Sequence, residues 1–232
     1  MLILEDLGVS YGNLRALDSV NLRLSEEGRI HGVIGPNGAG KSTLMDVVSG
    51  RHRPGSGRIV WRGQDIGAKS VEWRRRHGMS RSFQRTSIFS TLTVLEQIEM
   101  VSSSLGDNDI AEILDALELN HVCNRRADTI AYGDQRRVDV ALALVGKPKL
   151  ILLDEPAAGL STGETTALFE HIAALVRRRG ITAMIVEHDV AAVFRFCDVI
   201  TVLDLGRVIV TDAPSVVRAD PRVISAYLGS AA

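Results

Sequence analysis

Gly-Pro-Asn-Gly-Ala-Gly-Lys-Ser-Thr, at residues 35–43, is a glycine-rich stretch with apolar residues on both sides. The apolar run 30–34 before it predicts a strand, and the apolar-periodic run 44–48 after it predicts the start of a helix. A strand, a glycine-rich turn and a helix in this order are typical of a phosphate-binding loop. The alternative, a chance glycine turn before a helix, is disfavoured because all the parts are in register. We therefore predict that the chain binds a nucleoside triphosphate.

Each residue type in this loop suits a role in binding phosphate. Glycines let the backbone curl so that successive N–H groups face an anion, and the helix N-terminus adds the positive end of its dipole. Lys41 can place its charge between the β- and γ-phosphates, and the Ser42 hydroxyl can bind Mg²⁺. The residues assigned to the nucleotide are Gly35, Pro36, Asn37, Gly38, Ala39, Gly40, Lys41, Ser42 and Thr43.

The composition of the 232-residue chain is that of an ordinary globular protein. It is 45% hydrophobic and 24% charged, which argues against disorder. The formal net charge of −1 provides no global field that would recruit nucleic acid. Because Cys123 and Cys197 are the only cysteines and no CxxC or Cys/His cluster occurs, we expect a reducing compartment and no zinc site.

No segment has the pattern of a targeting peptide or a membrane span. Residues 1–6 lack a basic region and reach acidic residues too early for a signal peptide. No apolar run reaches the roughly 20 residues needed to cross a bilayer, since the longest, 138–153, is broken at 147–149. We expect a soluble protein whose membrane role comes through a partner.

Strand patterns on both sides of a helical stretch predict an α/β architecture. Residues 1–30 predict short strands with Tyr11 in a turn, where its ring could equally stack on a purine base or belong to the core. Residues 85–128 have helical spacing without a strand signal, and fully apolar strands return from residue 150. Such strands are expected in a parallel sheet covered on both faces. A helical subdomain, 85–129, inserted between 1–84 and 130–232 therefore fits best.

Three segments carry narrower predictions. Arg74, Arg75 and Arg76 lie on a helix predicted for 70–77, and we interpret them as a solvated basic face rather than a contact for an acidic partner or lipid headgroups. Residues 102–108 are predicted to form a polar loop. The last part of the chain is predicted to form a hairpin followed by short helices.

A buried strand delivers two acidic residues, Asp154 and Glu155, at its C-terminal end. Ligands bind at this end of strands in open α/β sheets, so Asp154 can hold Mg²⁺ through water opposite Ser42. Glu155 would face the γ-phosphate and orient or deprotonate the attacking water. The alternative, two acids that cap the next helix, is weakened by the phosphate loop on the same chain.

Two further segments carry groups that suit a phosphate. His188 ends another strand at the same sheet edge and could donate to the γ-phosphate, although a surface histidine is the alternative. The segment 130–137 precedes a helix predicted for 138–145, and the N–H groups from Gly133 onward form a second anion site. One nucleotide needs only one such site, so we infer that the second serves a nucleotide on another copy. A plain helix start with Asp134 favoured by the dipole is the alternative.

These motifs, in this order, resemble those of the ATP-binding subunits of ABC transporters, and the resemblance covers essentially the whole chain. Residues 35–43 resemble the Walker A loop. Residues 150–155 resemble the Walker B strand, and residues 130–135 resemble the signature motif. The resemblance implies an α/β P-loop (RecA-like) ATPase core with an N-terminal antiparallel β portion and an inserted helical subdomain. Other matching positions are the Q-loop Gln84, the D-loop 158–161, the switch His188 and the adenine-stacking Tyr11.

The resemblance implies hydrolysis of ATP with Mg²⁺. The implied catalytic residues are Glu155, His188, Lys41 and Gln84, and the metal would lie near Ser42, Gln84 and Asp154. The signature residues Ala131, Gly133 and Gln135 would contact the nucleotide held by the other subunit of a head-to-tail dimer.

The resemblance also implies the partners and the location. The second ATPase subunit would be another copy or a paralogue, and integral-membrane permease subunits would dock near Gln84 and the helical insertion. A periplasmic or extracellular solute-binding protein would act indirectly. The expected location is the cytoplasmic face of the inner or plasma membrane, held there through the permease, with no nucleic-acid partner.

Five short stretches resemble the LivG-type ATPases of branched-chain amino-acid importers, which implies import of branched-chain or other amino acids. They are residues 82–86, 131–137, 154–160, 187–189 and 226–229. Importers of urea or short amides and the lipopolysaccharide-export ATPase share several of them, so both remain alternatives. A soluble ABC ATPase without a permease and a plain phosphate-loop kinase are the rivals from other classes.

Three positions depart from the family pattern. Ala131 replaces the usual serine of the signature. Ser161 replaces the usual acidic or amide residue of the D-loop, and Leu142 replaces the usual arginine of the signature helix. The catalytic positions are kept, so we expect these departures to bear on rate and dimer coupling rather than on activity itself.

Overall fold

A four-stranded antiparallel sheet forms the N-terminal side of the molecule. The computed structural model describes residues 1–24, 27–82, 87–106 and 110–228, with the backbone alone for 227–228. The strands, in the spatial order β2-β1-β4-β5, are β1 (Leu2–Tyr11), β2 (Leu14–Leu24), β4 (Ser56–Trp61) and β5 (Gln64–Asp65). β1 and β2 bury apolar residues mainly on one face, as half-buried strands do. They are longer than the short strands predicted, because a tight turn at residues 12–13 joins them into one hairpin.

A six-stranded sheet forms the centre of the molecule. In spatial order its strands are β10 (Arg207–Asp212), β9 (Val199–Asp204), β3 (Ile30–Ile34), β8 (Thr182–Val186), β7 (Leu150–Asp154) and β6 (Met79–Arg81). All pairings are parallel except that of β10, which forms the predicted hairpin with β9. Every residue of β3 and β7 is buried, as expected for strands covered on both faces.

Helices cover both faces of the central sheet. They are α1 (Lys41–Ser49), α2 (Val71–Arg76), α3 (Val94–Leu105), α4 (Ile110–Ala116), α5 (Tyr132–Leu144), α6 (Thr162–Arg179), α7 (Val190–Phe196), α8 (Pro214–Ala219) and α9 (Pro221–Val223). The apolar side chains of α1 share one core with β1, β2 and β4. Helices α3 to α7 share a second core with the central sheet. The predicted α/β fold with an antiparallel β portion is thereby confirmed.

The region between β6 and α5 is helical, as the spacing predicts. A capping box between Thr93 and Glu96 starts α3, and Gly106 ends it in a left-handed conformation. The predicted polar loop is wrong for residues 102–105, which are the last turn of α3: Ser102 is buried and the Ser104 hydroxyl donates to a carbonyl of its own helix. Residues 107–109 lie outside the described part, and the subdomain boundaries remain a prediction.

Helix α5 begins at Tyr132, six residues before the predicted start. Ala131 is the extended N-cap residue, with φ −60° and ψ 151°. Gly133, Asp134 and Gln135 therefore lie within the first turns of the helix rather than ahead of it. An acidic residue in a first turn is favoured by the helix dipole, so the sequence is compatible with the earlier start.

The predicted solvated basic face on α2 is wrong for Arg74. This side chain is only 1% exposed, and burial lowers its pKa to about 10. Its guanidinium donates to four main-chain carbonyls, those of Val47, Val48, Ile66 and Lys69, at 2.6–3.2 Å. Arg76 alone behaves as predicted, since it is exposed and pairs with Glu72 on the surface.

The prediction is also wrong for Arg75, which is half-buried. Its guanidinium donates to the carbonyls of Leu142, Ala143 and Val145 at the C-terminal end of α5, at 2.7–3.3 Å. The last carbonyls of a helix have no partners within the helix, and a cation there also suits the dipole. Arg75 therefore joins α2 to the end of α5, next to the position where Leu142 replaces the usual arginine.

In the part of the chain that the structure describes, no helix is both long enough and apolar enough to cross a bilayer.

A buried histidine in β3 makes stability depend on pH. His31 is 5% exposed, and its Nε2 lies 2.7 Å from the hydroxyl of Thr201, which in turn lies 2.8 Å from that of Thr211. Burial lowers the pKa of His31 from 6.5 to about 4. Between these values the unfolded chain binds a proton that the folded chain does not bind. Stability is therefore lost as pH falls from 6.5 towards 4.

We expect His31→Gln to remove this part of the pH dependence. The titration costs the wild type about 2 kcal/mol at pH 5, from a pKa of 6.5 in the unfolded chain and about 4 in the folded chain. Urea denaturation at pH 7.5 and pH 5 measures the difference. His77→Gln, which removes an exposed histidine, is the control and should keep the wild-type difference. A His31→Gln variant with an undiminished loss at pH 5 would contradict the assignment.

Candidate functional site

The phosphate loop lies between β3 and α1, as predicted, and its shape depends on two close approaches. A Cβ atom on Gly35 would lie 2.2 Å from the carbonyl oxygen of Leu203. Gly40, the N-cap residue of α1, has φ +101°, and a Cβ there would lie 2.5 Å from the carbonyl oxygen of Ala16. The N–H of Gly206 donates to the carbonyl of Ala39. The β9–β10 hairpin and β2 thus pack directly against the phosphate loop.

Lys41 lies across the loop that precedes it. Its Nζ donates to the carbonyls of Gly35 and Pro36, at 2.7 and 3.1 Å. An ammonium has three N–H donors, so this geometry is compatible with a further bond to a phosphate oxygen. Burial lowers the pKa of Lys41, and the negative charges of Glu155 and Asp154 act in the opposite direction. The neighbouring carboxylates therefore favour the charged form that phosphate binding needs.

Glu155 follows β7 directly and is held in an uncommon backbone conformation, with φ +50°. Its N–H donates to the carbonyl of Val186 at 2.8 Å, which fixes this turn against β8. Its Oε1 lies 2.9 Å from Nε2 of His188. A strained residue at a strand end is common in functional sites. The structure brings these two predicted residues together in one hydrogen bond.

The alternative role for Asp154 and Glu155, as caps of the next helix, is not observed. Helix α6 begins at Thr162 and is capped by Ser161, whose hydroxyl accepts from the N–H of Glu164 while the Glu164 carboxylate accepts from Ser161. The serine that departs from the usual D-loop residue therefore starts α6.

A cavity of about 380 Å³ joins the loop to the strand ends. Its described lining residues are Tyr11, Leu14, Arg15, Ala16, Asn37, Gly38, Ala39, Gly40, Lys41, Ser42, Thr43, Glu155, His188 and Leu205. Of the two roles predicted for Tyr11, a place in the core is wrong, because the residue is 46% exposed at the rim of this cavity. Stacking on a purine base stays a prediction. The cavity is therefore large and polar enough for a phosphate chain, with an aromatic ring at its edge.

Asp154 accepts a hydrogen bond from Arg81, a residue for which the sequence predicts no role. Oδ2 of Asp154 accepts from Nη2 of Arg81 at 2.7 Å, and Nη1 of Arg81 donates to Oδ1 of Asp46 and Oγ of Ser49 on α1. Burial raises the pKa of Asp154, while the bond from Arg81 lowers it. Arg81 ends a three-residue edge strand, and no local pattern marks such a residue as part of a site.

Glu187 is a second buried carboxylate for which the sequence predicts no role. It is 3% exposed; Oε1 accepts from the N–H of Ala157 at 2.8 Å, and Oε2 accepts from the N–H of His188 at 3.0 Å. Burial raises its pKa, and these backbone bonds lower it. Glu187 therefore ties the segment after β7 to the one after β8. The sequence signal was a charged residue directly after an apolar strand.

The signature segment does not share the cavity. Ala131, Gly133 and Gln135 are not among the described residues that line it. Instead, the Tyr132 hydroxyl donates to the carbonyl of Ala158, and Gln135 donates to the carbonyl of Ile130. Their assignment to a nucleotide therefore stays a prediction. Gln84, predicted for catalysis and for the metal, lies outside the described residues.

The groups near the loop fit a magnesium ion that is held together with phosphates. The Ser42 hydroxyl is at the start of α1, and Asp154 ends β7. No cluster of three or more His, Cys, Asp or Glu side chains suited to a metal occurs in the part of the chain that the structure describes. Mg²⁺ typically takes one or two protein oxygens, waters and substrate phosphates, so this donor set suits it.

Two family models match the chain. Residues 17–158 match the model described as ABC transporter, and residues 207–232 match the model described as branched-chain amino acid ATP-binding cassette transporter.

Curated relatives match over nearly the full length of the chain. The high-affinity branched-chain amino acid transport ATP-binding protein LivG of Escherichia coli (strain K12) is 34% identical over 252 residues, which cover 100% of this chain and 98% of that protein. The lipopolysaccharide export system ATP-binding protein LptB of Haemophilus influenzae is 32% identical over 236 residues, which cover 99% and 97%.

Solved structures also match over most of the chain. A nucleotide-free ATP-binding cassette from an ABC transporter has a TM-score of 0.88 at 29% identity, with 98% of each chain covered. A dimeric, post-hydrolysis ATP-binding cassette bound to ADP and Pi has a TM-score of 0.79 at 25% identity, with 92% of this chain and 99% of that chain covered. The fold, the site and the sequence agree, and the chain belongs to the ABC transporter family as one of its ATP-binding ATPases.

Proposed function

We propose that this protein is the ATP-hydrolysing subunit of a membrane importer for branched-chain or other amino acids. One observation carries the catalytic part: the Glu155–His188 pair lines the same cavity as the phosphate loop. A carboxylate beside bound phosphates can accept a proton from an attacking water. Family membership supplies the reaction, and the shared cavity supports the proposal that Glu155 and His188 take part in it.

The roles of the chain's own residues follow from their positions. The loop N–H groups and Lys41 hold the phosphates, and the ring of Tyr11 offers a face for the adenine base. Glu155 orients and deprotonates the water, while His188, bonded to Glu155, is placed to contact the γ-phosphate. Mg²⁺, held by Ser42 and Asp154, would neutralise charge on the phosphate oxygens. Gln84 is assigned to the metal and to catalysis on the resemblance alone.

We infer that the working form is a head-to-tail dimer, either of this chain or with a paralogue. The signature residues Ala131, Gly133 and Gln135 lie off the cavity of their own chain, so another chain's nucleotide is their candidate ligand. A related cassette bound to ADP and Pi is dimeric, which supports this arrangement. Ala131 offers only its backbone there, since it has no hydroxyl.

A groove between the core and the helical region is the proposed docking site for the permease. A cavity of about 290 Å³ lies among α2, β6, α3 and α5, and Val71, Phe89, Val101 and Leu142 contribute apolar side chains to its lining. Val71 and Phe89 are 43% and 58% exposed. Apolar side chains left exposed around a groove are typical of a docking site. The expected location is therefore the cytoplasmic membrane face, through the permease, with a solute-binding protein acting on the outer side.

The proposal that the transported solute is an amino acid rests on two similarities, and two other classes of solute remain as alternatives. The C-terminal match to the branched-chain amino acid model and the full-length similarity to LivG favour it. LptB is nearly as similar, so export of lipopolysaccharide is the second candidate, and import of urea or amides is the third.

We expect leucine uptake to require this protein together with its permease subunits. In a host strain that lacks leucine importers, coexpression with the permease and binding-protein genes encoded beside it should bring the ATPase into membranes and give uptake of radiolabelled leucine. Radiolabelled urea should not accumulate. Membrane recovery with urea uptake would favour the amide importers, whereas recovery in the soluble fraction under all conditions would favour a non-transport ATPase.

A further inference from the structure

Arg81 joins three elements that surround the proposed magnesium site. It ends β6, its side chain is 8% exposed, and its guanidinium reaches β7 and α1 at once. One amino group, Nη2, donates to Oδ2 of Asp154 at 2.7 Å. The other, Nη1, donates to Oδ1 of Asp46 at 2.6 Å and to Oγ of Ser49 at 2.9 Å. A single planar group therefore connects Asp154 to α1.

The anchor points on α1 lie in line with a residue of the phosphate loop. Ser42, Asp46 and Ser49 are spaced i, i+4 and i+7 along α1, so they share one helix face. Arg81 donates hydrogen bonds to Asp46 and Ser49 on this face. The third residue of the face, Ser42, is the predicted metal ligand. The Arg81 guanidinium thus links the helix that begins next to Ser42 to the strand that ends in Asp154, two elements that share no backbone ladder.

The chemistry of arginine suits this role. A guanidinium is rigid and planar and offers donors on two amino groups, so it fixes the angle between two partners as well as their distance. Arg81 occupies Oδ2 of Asp154, and within the described residues no hydrogen bond to Oδ1 is observed. One carboxylate oxygen is thus assigned to the arginine, and the other is available to the water shell of a metal.

We propose that Arg81 is a positioning residue for Mg²⁺, holding Asp154 at the separation from Ser42 that binding of the Mg²⁺–nucleotide complex requires. The proposal rests on the assignment of Ser42 and Asp154 to Mg²⁺ in the proposed function. A purely structural ion pair is the competing explanation. It predicts that loss of Arg81 weakens nucleotide binding equally with and without the metal.

The test compares binding of the non-hydrolysable analogue AMP-PNP in excess Mg²⁺ and in EDTA, measured by isothermal titration calorimetry on the full chain. Residues that orient metal ligands typically contribute about 10- to 100-fold to affinity. Arg81→Met should therefore weaken binding in Mg²⁺ by about tenfold or more and leave binding in EDTA within about twofold. Arg81→Lys, which keeps the charge but loses the planar geometry, should fall between Arg81→Met and the wild type. Arg195→Met removes an arginine from an exposed pair with Glu170 and is the matched control.

Equal weakening in Mg²⁺ and EDTA, or a folded Arg81→Met with wild-type affinity in both, would overturn the proposal. If Arg81→Met does not fold, Asp46→Ala decides, because it removes one of the two α1 partners of Arg81 and leaves the bonds to Ser49 and Asp154. It should show a smaller loss that is still confined to Mg²⁺. Failure of the proposed function is distinguishable, since the wild type would then bind no AMP-PNP or bind it identically in Mg²⁺ and EDTA.

Discussion

Replacing Glu155 with glutamine is expected to reduce ATP hydrolysis by about 10²–10⁴-fold, the range that a positioned general base contributes. Glutamine keeps the volume and one oxygen for the 2.9 Å contact with Nε2 of His188, but it cannot accept a proton from water. Steady-state phosphate release measures the loss. The affinity for ATP should stay within about twofold, because the phosphate loop is unchanged.

The same variant should accumulate as a dimer when ATP is added. Binding would still close two chains around the nucleotide, whereas the hydrolysis that reopens them would be lost. Size-exclusion chromatography with and without ATP detects the change, and a plain phosphate-loop kinase would show none. Glu170→Gln, a change in an exposed pair with Arg195, is the control and should keep wild-type turnover. Hydrolysis by Glu155→Gln within tenfold of wild type would exclude Glu155 as the base.

The second large effect concerns stability rather than chemistry. Arg74→Met is expected to lower the free energy of unfolding by about 3 kcal/mol, at roughly 1 kcal/mol for each of three buried carbonyls that lose their donor. The three acceptors, on Val47, Val48 and Ile66, each lie within 2.7 Å of the guanidinium. Methionine fills much of the space of the side chain but offers no donor. Urea denaturation measures the change as a lower midpoint with an unchanged slope.

Helix α2 supplies the matched control for this prediction. Arg76→Met removes a residue of the same type two positions further on, where the side chain is exposed and pairs with Glu72. An exposed pair of this kind contributes about 0.5 kcal/mol or less, so this variant should unfold close to wild type. Equal stabilities for the two variants would show that the buried contacts of Arg74 contribute nothing net.

Much of the site could be predicted because its motifs are continuous in sequence. The phosphate loop lies between one strand and the helix that follows it, so the spacing of Gly35, Lys41 and Ser42 along the chain fixes their spacing in space. Parallel strands end at the same sheet edge, so Glu155 and His188 could be placed together although 33 positions separate them. Hydrophobic periodicity likewise predicted many of the strands and helices, because the pattern depends only on residues that are close in sequence.

The start of α5 and the end of α3 could not be placed from periodicity. Gly133 and the polar residues after it look like a loop, yet α5 begins at Tyr132 because Ala131 adopts the extended cap conformation and the first turn packs against the D-loop. Similarly, the Ser104 hydroxyl near the end of α3 donates to the carbonyl of Val101 within the same helix. In both cases packing overrode a weak local preference.

Local sequence patterns were enough to predict a phosphate loop, a carboxylate and a histidine at one sheet edge, and membership of the ABC ATPase family. Which charged residues are buried depends on the tertiary structure. Arg74, Arg81 and Glu187 each bond to at least one partner that lies 27 to 73 positions away in the chain. A charge in a sequence is solvated unless packing supplies partners for it, and the packing around these three groups is set by distant segments. Their contacts therefore follow from the whole fold and from no local pattern.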